Sequence, residues 1–136
     1  MLTGEEIIAP GHHVIAVGVD RTVDSRLAVA DEIDAVHRQG GVAIAAHPSP
    51  LFLQCFDDAA MARLDGAEIC HPQIFAVAGV QRDLEQFAAR GHVAAIGSSD
   101  FHGLGRLGEC RTYVFARDAG AAAILDALRA HRTVVY

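Results

Sequence analysis

The sequence contains no tryptophan and no lysine. Its 11 basic residues are all arginines, spread along the chain without a run, and against 17 acidic residues they leave a formal net charge of −6. Proteins that grip a nucleic-acid backbone do so through clustered cations, so the chain carries no strong nucleic-acid signal. Long hydrophobic runs are missing too. The longest apolar stretches cover about five to eight residues, such as Val42 to Ala46, whereas a helix that spans a bilayer needs about twenty. No basic start leads into an apolar segment, so no secretory signal is visible. The expectation is a cytoplasmic protein with no membrane partner. Cysteine is sparse: Cys55, Cys70 and Cys110 are odd in number and share no C-x-x-C spacing. They read as reduced, packed thiols, not as a disulfide framework or a structural zinc knot. A glycine-rich phosphate loop is also lacking. Gly103-Leu104-Gly105 has none of the further spacing that a dinucleotide fold or P-loop requires, which argues against Rossmann and kinase readings.

What is present fits one compact domain over residues 1–136, able to bury roughly two-thirds of its unfolded surface. Hydrophobic residues make up 51% and aromatics only 6%, so the core is built mainly from Ala, Val, Leu and Ile. Eight histidines in 136 residues are many.

Apolar runs and helical periodicities alternate along the chain. His13 to Val19 is a β-branched run closed by Asp20-Arg21. Arg26 to Gln39 places Leu27, Ala30, Ile33 and Val36 at helical spacing, with Asp24 or Ser25 as N-cap and Gly40 beyond the end. Gly41 to Ala46 is continuous and apolar, as a strand covered on both faces would be, and His47-Pro48-Ser49-Pro50 breaks it into a loop. Asp57 to Leu64 predicts a short helix and Ala67 to Cys70 a strand closed by His71-Pro72. Val80 to Arg90 predicts a helix with Leu84 and Phe87 inward, and Val93 to Gly97 a strand. Arg111 to Ala116, Ala119 to Ala130 and Thr133 to Tyr136 then read as strand, helix and strand. About five alternations of strand and helix favour parallel strands with helical crossovers, hence an α/β barrel or a doubly wound sheet.

In such folds the functional face lies at the carboxyl ends of the strands. His47 follows one predicted strand, His71 a second, and Asp100 and His102 a third. Residues i and i+2 of an extended chain point the same way, so Asp100 and His102 can face one cavity while Phe101 packs. Carboxylate oxygen beside imidazole nitrogen suits Zn, Mn or Fe.

Several segments, in order, resemble the motifs of the PHP (polymerase and histidinol phosphatase) family. They are Gly40 to Pro48 (GGVAIAAHP), Asp65 to Pro72 (DGAEICHP) and Gly97 to Gly103 (GSSDFHG). Ahead of them, Thr3 to Ile7 (TGEEI) is similar to the family's Gly-x-Glu-hydrophobic motif and His13 to Asp20 to its histidine-led strand. The resemblance implies a distorted (β/α)7 barrel whose rim holds up to three divalent ions and hydrolyses phosphate esters. The implied substrate is a phosphorylated small molecule or a nucleotide. Position by position, it makes Glu6 a carboxylate bridging two ions, His13 and His47 imidazole ligands of one of them, Asp100 a ligand of the neighbouring ion and His102 of the third. Glu5 competes with Glu6, and His12 with His13. The family's opening His-x-His strand has no counterpart here. The expectation is therefore an incomplete barrel that lacks the first strands and holds one or two ions. Exposed sheet edges would favour self-association or a partner that completes the barrel. Three readings stay open: a phosphoesterase, a metal-binding but inactive remnant or subunit, and a metal hydrolase of the amidohydrolase type.

Other residues carry less. His71 and Arg106 are candidate substrate contacts, Arg106 because guanidinium matches phosphate geometry. His37, His92 and His131 lie at or near predicted helix C-termini, where cations favour the dipole. Ser98 and Ser99 lack the surroundings of a nucleophile elbow and read as turn residues. Cys55 and Cys70 could approach the ions.

Overall fold

The computed structural model describes residues 1–49, 56–103 and 105–136. Its elements run β1 (Gly4–Ala9), β2 (His12–Val17), α1 (Val29–Arg38), β3 (Val42–Ala45), α2 (Asp58–Met61), β4 (Gly66–Cys70), α3 (Gln73–Ala76), α4 (Val80–Gly91), β5 (Ala94–Gly97), β6 (Thr112–Val114), α5 (Ala121–Arg129) and β7 (Thr133–Val135). Five strands form one sheet in the order β1-β2-β3-β4-β5, and β6 pairs with β7 in a second sheet. The fold is mixed α/β with an open sheet, in keeping with an incomplete barrel. Among the described residues β1 is paired on one side only.

The alternation of strand and helix predicts more parallel pairing than the structure contains. Among the described residues only β3/β4 and β4/β5 are parallel. β1/β2, β2/β3 and β6/β7 are antiparallel. For β1/β2 the cause is the turn that joins them. Pro10-Gly11 between β1 and β2 turns the chain straight back, Gly11 taking a φ of 101°, where glycine is favoured. No helix intervenes, so a parallel crossover cannot form.

Antiparallel pairing sorts the first residues by period two. Directly opposed residues share a face, so Glu6↔Ile15 and Ile8↔His13 put Glu6 and His13 on one side, while Ala9↔His12 and Ile7↔Val14 lie on the other. The second face carries the main core: Ile7, Val14, Ala43 and Ala45 against Ile33 and Val36 of α1 and Phe87 of α4. Burying each large aliphatic side chain contributes about 1.5–3 kcal/mol. On the first face Val42, Ile44, Ala94 and Ile96 pack with Leu128 of α5. β3 is buried along its whole length, as a central strand covered on both faces must be.

Two local expectations change. Helix α1 starts at Val29 behind Ala28, without a side-chain cap. Asp24 instead closes a local turn, accepting the Arg26 backbone N–H at 3.0 Å and its guanidinium at 2.8 Å. Gln73–Ala76, with no helical period in so short a stretch, forms α3. Leu84 and Phe87 point inward as expected. Cys70 and Cys110 are free thiols, and Cys55 lies outside the described residues. No helix among the described residues is long and apolar enough to cross a membrane.

Candidate metal centre

Three ligand-bearing segments meet where β3, β4 and β5 end. Strand β2 runs against β3, and Val14 faces Ala45. The start of β2 therefore lies beside the end of β3, and the Ala46 N–H donates to the His13 carbonyl at 3.0 Å. That bond brings His13 next to His47, their rings edge-to-face at 5.0 Å. Glu6 reaches the same point from β1. Its Oε1 lies 3.0 Å from His13 Nδ1 and 3.6 Å from His47 Nε2. One donor atom from each of Glu6, His13 and His47 falls within 4.8 Å of the other two. Separations of 3.0–3.6 Å match neighbouring ligands about 2.1 Å from a shared ion, so this donor set fits a divalent metal.

The competing residues are engaged elsewhere. Glu5 accepts the Val23 backbone N–H at 2.7 Å. His12 Nε2 meets Glu32 Oε2 at 2.7 Å inside the core, with Glu32 fully buried.

Asp100 and His102 stand on the loop after β5. The Asp100 carboxylate lies between two imidazoles, with Oδ2 3.3 Å from His71 Nε2 and Oδ1 3.3 Å from His102 Nδ1. His102 is exposed, and its Nδ1–H donates to the Asp100 carbonyl at 2.9 Å, which leaves Nε2 as the lone-pair nitrogen. The backbone and carboxylate of Asp100 raise the pKa of His102. His71 is 2% exposed, and its ring sits 5.3 Å from that of His47. Burial lowers the pKa of both His47 and His71, which favours the neutral imidazole that a metal centre needs.

A cavity of about 410 Å³ opens over these groups, lined by Glu6, His47, Glu68, Ser98, Asp100 and His102 with Ile15, Phe101 and Leu107. Arg106 is exposed and does not line it, although its neighbour Leu107 does. Nor does His71, which lies behind Asp100. His37 pairs with Asp65 at 2.8 Å, away from the cavity.

Sequence reasoning missed Glu68. It stands in the middle of β4, 1% exposed, and accepts the His47 backbone N–H at 2.6 Å. Burial, opposed by hydrogen bonds from the Ser98 hydroxyl and the His47 N–H, pushes its carboxyl up to about 7. The available signal was one acid inside the apolar stretch Gly66–Cys70, since a central strand buries such a group only when it is partnered.

These features define an α/β domain with an open mixed sheet and a candidate metal centre at its strand ends. The sequence profile of a family described as PHP-associated matches residues 82–133. Over 99% of its length the chain also shares the fold of a two-domain protein from Bacteroides vulgatus containing a predicted PHP-like metal-dependent phosphoesterase, at a TM-score of 0.70 and 20% identity. The chain spans 44% of that protein's length. No curated protein matches the sequence. The profile covers the C-terminal part of the chain, including the Gly97 to Gly103 motif, and the solved structure shares the fold.

Proposed function

We propose that the chain is a metal-dependent phosphoesterase unit holding a Zn, Mn or Fe ion through Glu6, His13 and His47, with Asp100 and His102 ligating further ions at the same rim. The observation that carries this reading is the convergence of three donor atoms within 4.8 Å from β1, β2 and the end of β3. When bound, such an ion polarises a phosphoryl oxygen and lowers the pKa of water. Glu6 and Asp100 bring two carboxylates to one cavity beside the buried Glu68, negative charge that a divalent cation relieves. Phe101 and Leu107 give the cavity an apolar side against which a substrate's organic portion can rest. Arg106, next in sequence to the cavity-lining Leu107, is the guanidinium that would meet a phosphorylated small molecule or nucleotide. A cytoplasmic location fits this chemistry.

A second reading, a metal-binding unit that needs another chain for turnover, is favoured by one observation. Among the described residues a single three-donor cluster forms, and Asp100 and His102 fall outside it. One experiment separates the two: metal content by mass spectrometry alongside hydrolysis of an aryl phosphate with added Mn or Zn. Turnover lost in Asp100→Ala supports the phosphoesterase. About one bound equivalent without turnover sinks it in favour of the second reading.

A further inference from the structure

Four non-glycine residues among those described adopt positive φ, and two of them are site residues: His47 at 28° and Asp100 at 42°. L-residues other than glycine rarely occupy this region, and such strain persists only where surrounding contacts hold it. The two residues sit on separate loops, after β3 and after β5. Strand β4 lies between those strands, and one polar side chain from it and one from the residue after it reach the two loops. Glu68 accepts the backbone N–H of His47 at 2.6 Å. His71 faces the Asp100 carboxylate at 3.3 Å.

The hydrogen bonding of His71 fixes what it can do there. Its Nδ1 lies 3.2 Å from the Gln73 backbone N–H, which can only donate. Nδ1 is therefore the unprotonated nitrogen, and the ring proton sits on Nε2. A protonated nitrogen cannot ligate a metal, so Nε2 is a donor aimed at Asp100. It is buried and completes no hydrogen bond in this geometry; the Asp100 Oδ2 that it faces stands 3.3 Å away.

We propose that Glu68 and His71 are positioning residues, and that β4 and the residue after it, without supplying a ligand, hold the two strained ligand residues His47 and Asp100 from between their loops. This rests on the metal-binding reading above and adds the means by which the ligands are held. Groups that orient ligands in this way typically change metal affinity 10–100-fold when lost.

The test is calorimetric titration of Mn2+ and Zn2+ into the metal-free protein and into Glu68→Leu, Glu68→Gln, His71→Leu and His71→Gln, with thermal unfolding of each metal-free form. Gln at 68 keeps an acceptor for the His47 N–H, and Gln at 71 keeps a donor toward Asp100. Each Leu variant is expected to weaken metal binding about 10–100-fold, and each Gln variant to recover most of that loss. Adding His71→Leu to Asp100→Asn should weaken binding little further, since His71 acts only through Asp100. Nitrogen NMR of the wild-type imidazole should show the Nε2–H tautomer for His71. Leu variants that bind as wild type does, or Gln variants as weak as the Leu ones, overturn the proposal. If a Leu variant does not fold, its Gln counterpart decides together with the tautomer: an Nδ1–H ring at His71 rejects the positioning role. A wild-type protein that binds neither ion overturns the metal-binding reading itself, an outcome distinct from unchanged variants.

Discussion

The Glu68 carboxylate accepts the backbone N–H of His47 at 2.6 Å from a position that is 1% exposed. This contact links a buried acid to the strand end where the candidate ligands gather, and it has a thermodynamic signature. Burial raises the carboxyl from 4.5 to about 7. For an acid raised on folding, the native state binds more protons than the unfolded one between those values. Its stabilising contribution is complete below pH 4.5 and is lost as pH rises through about 7. The shift corresponds to about 3 kcal/mol. Glu68→Gln stays neutral and should lack this dependence. His47 and His71, whose pKa values are lowered, give the opposite slope, but they are common to both proteins and cancel in the difference. Denaturant unfolding of the metal-free proteins across this range should show wild type losing ground to Glu68→Gln as pH rises. A difference that stays flat rejects the raised carboxyl.

Metal binding to the Glu6–His13–His47 cluster predicts a linked gain in stability. An ion that binds only the folded state stabilises it by about 2.7 kcal/mol at a hundredfold excess over Kd. Adding Mn or Zn should raise Tm in proportion to the logarithm of its concentration, and a chelator should reverse the shift. His47→Ala removes one of three ligands and should abolish the response, whereas His37→Ala, at the distant Asp65 pair, should keep it. A metal-induced shift that survives His47→Ala would place the ion elsewhere.

The fold class and the site were legible to different depths, for physical reasons. Apolar runs such as Val42–Ala45 identify central strands because burial on both faces leaves no room for polar residues. They do not say which strands run antiparallel: the Pro10-Gly11 turn decided that for β1 and β2, while β2/β3 and β6/β7 are antiparallel with a helix between them. That His47, Asp100 and His102 reach one cavity could be read from their places after strands. The choice of Glu6 over Glu5 and of His13 over His12 needed the pairing register, because adjacent residues of a strand face opposite sides. Glu68 and the orientation of His71 were hidden, as their roles come from contacts with loops distant in sequence.

Gly97 gives a prediction from close packing. It ends β5, and a Cβ there would stand 2.6 Å from the Arg111 carbonyl oxygen and 2.9 Å from its carbonyl carbon. These are backbone atoms fixed by the Arg111–Tyr136 pair, bonded at 2.9 and 3.0 Å. Gly97→Ala must push the two backbones apart, at a cost of about 1–3 kcal/mol. Thr112 binds the same residue, its hydroxyl accepting the Gly97 N–H at 2.8 Å and donating to the Gly97 carbonyl at 2.9 Å. Thr112→Val should cost about 1–3 kcal/mol by leaving these groups without a partner. Chemical denaturation of both variants checks the values, and a wild-type midpoint for Gly97→Ala would contradict the contact.

The pair His12–Glu32 lies on the covered face of β2, with side chains 7% and 0% exposed and 2.7 Å apart. Glu32 occupies the buried stripe of α1 beside Val29, Ile33 and Val36, a position where a leucine would ordinarily pack. Burial raises its carboxyl, and the hydrogen bond from His12 opposes that. Removing either partner strands a polar or charged group in the core, at a cost of about 3–5 kcal/mol. Replacing both with apolar side chains removes the desolvation penalty along with the attraction, and such swaps are often neutral or stabilising. His12→Leu and Glu32→Leu should therefore each destabilise strongly, while the double variant recovers most of the loss. The coupling between them should reach at least about 2 kcal/mol. Because His12 points away from the cavity, the double variant should still bind Mn or Zn at the Glu6–His13–His47 cluster. Additive losses in the double variant would show that the two residues stabilise the fold independently, and loss of metal binding would show that His12, not His13, serves the site.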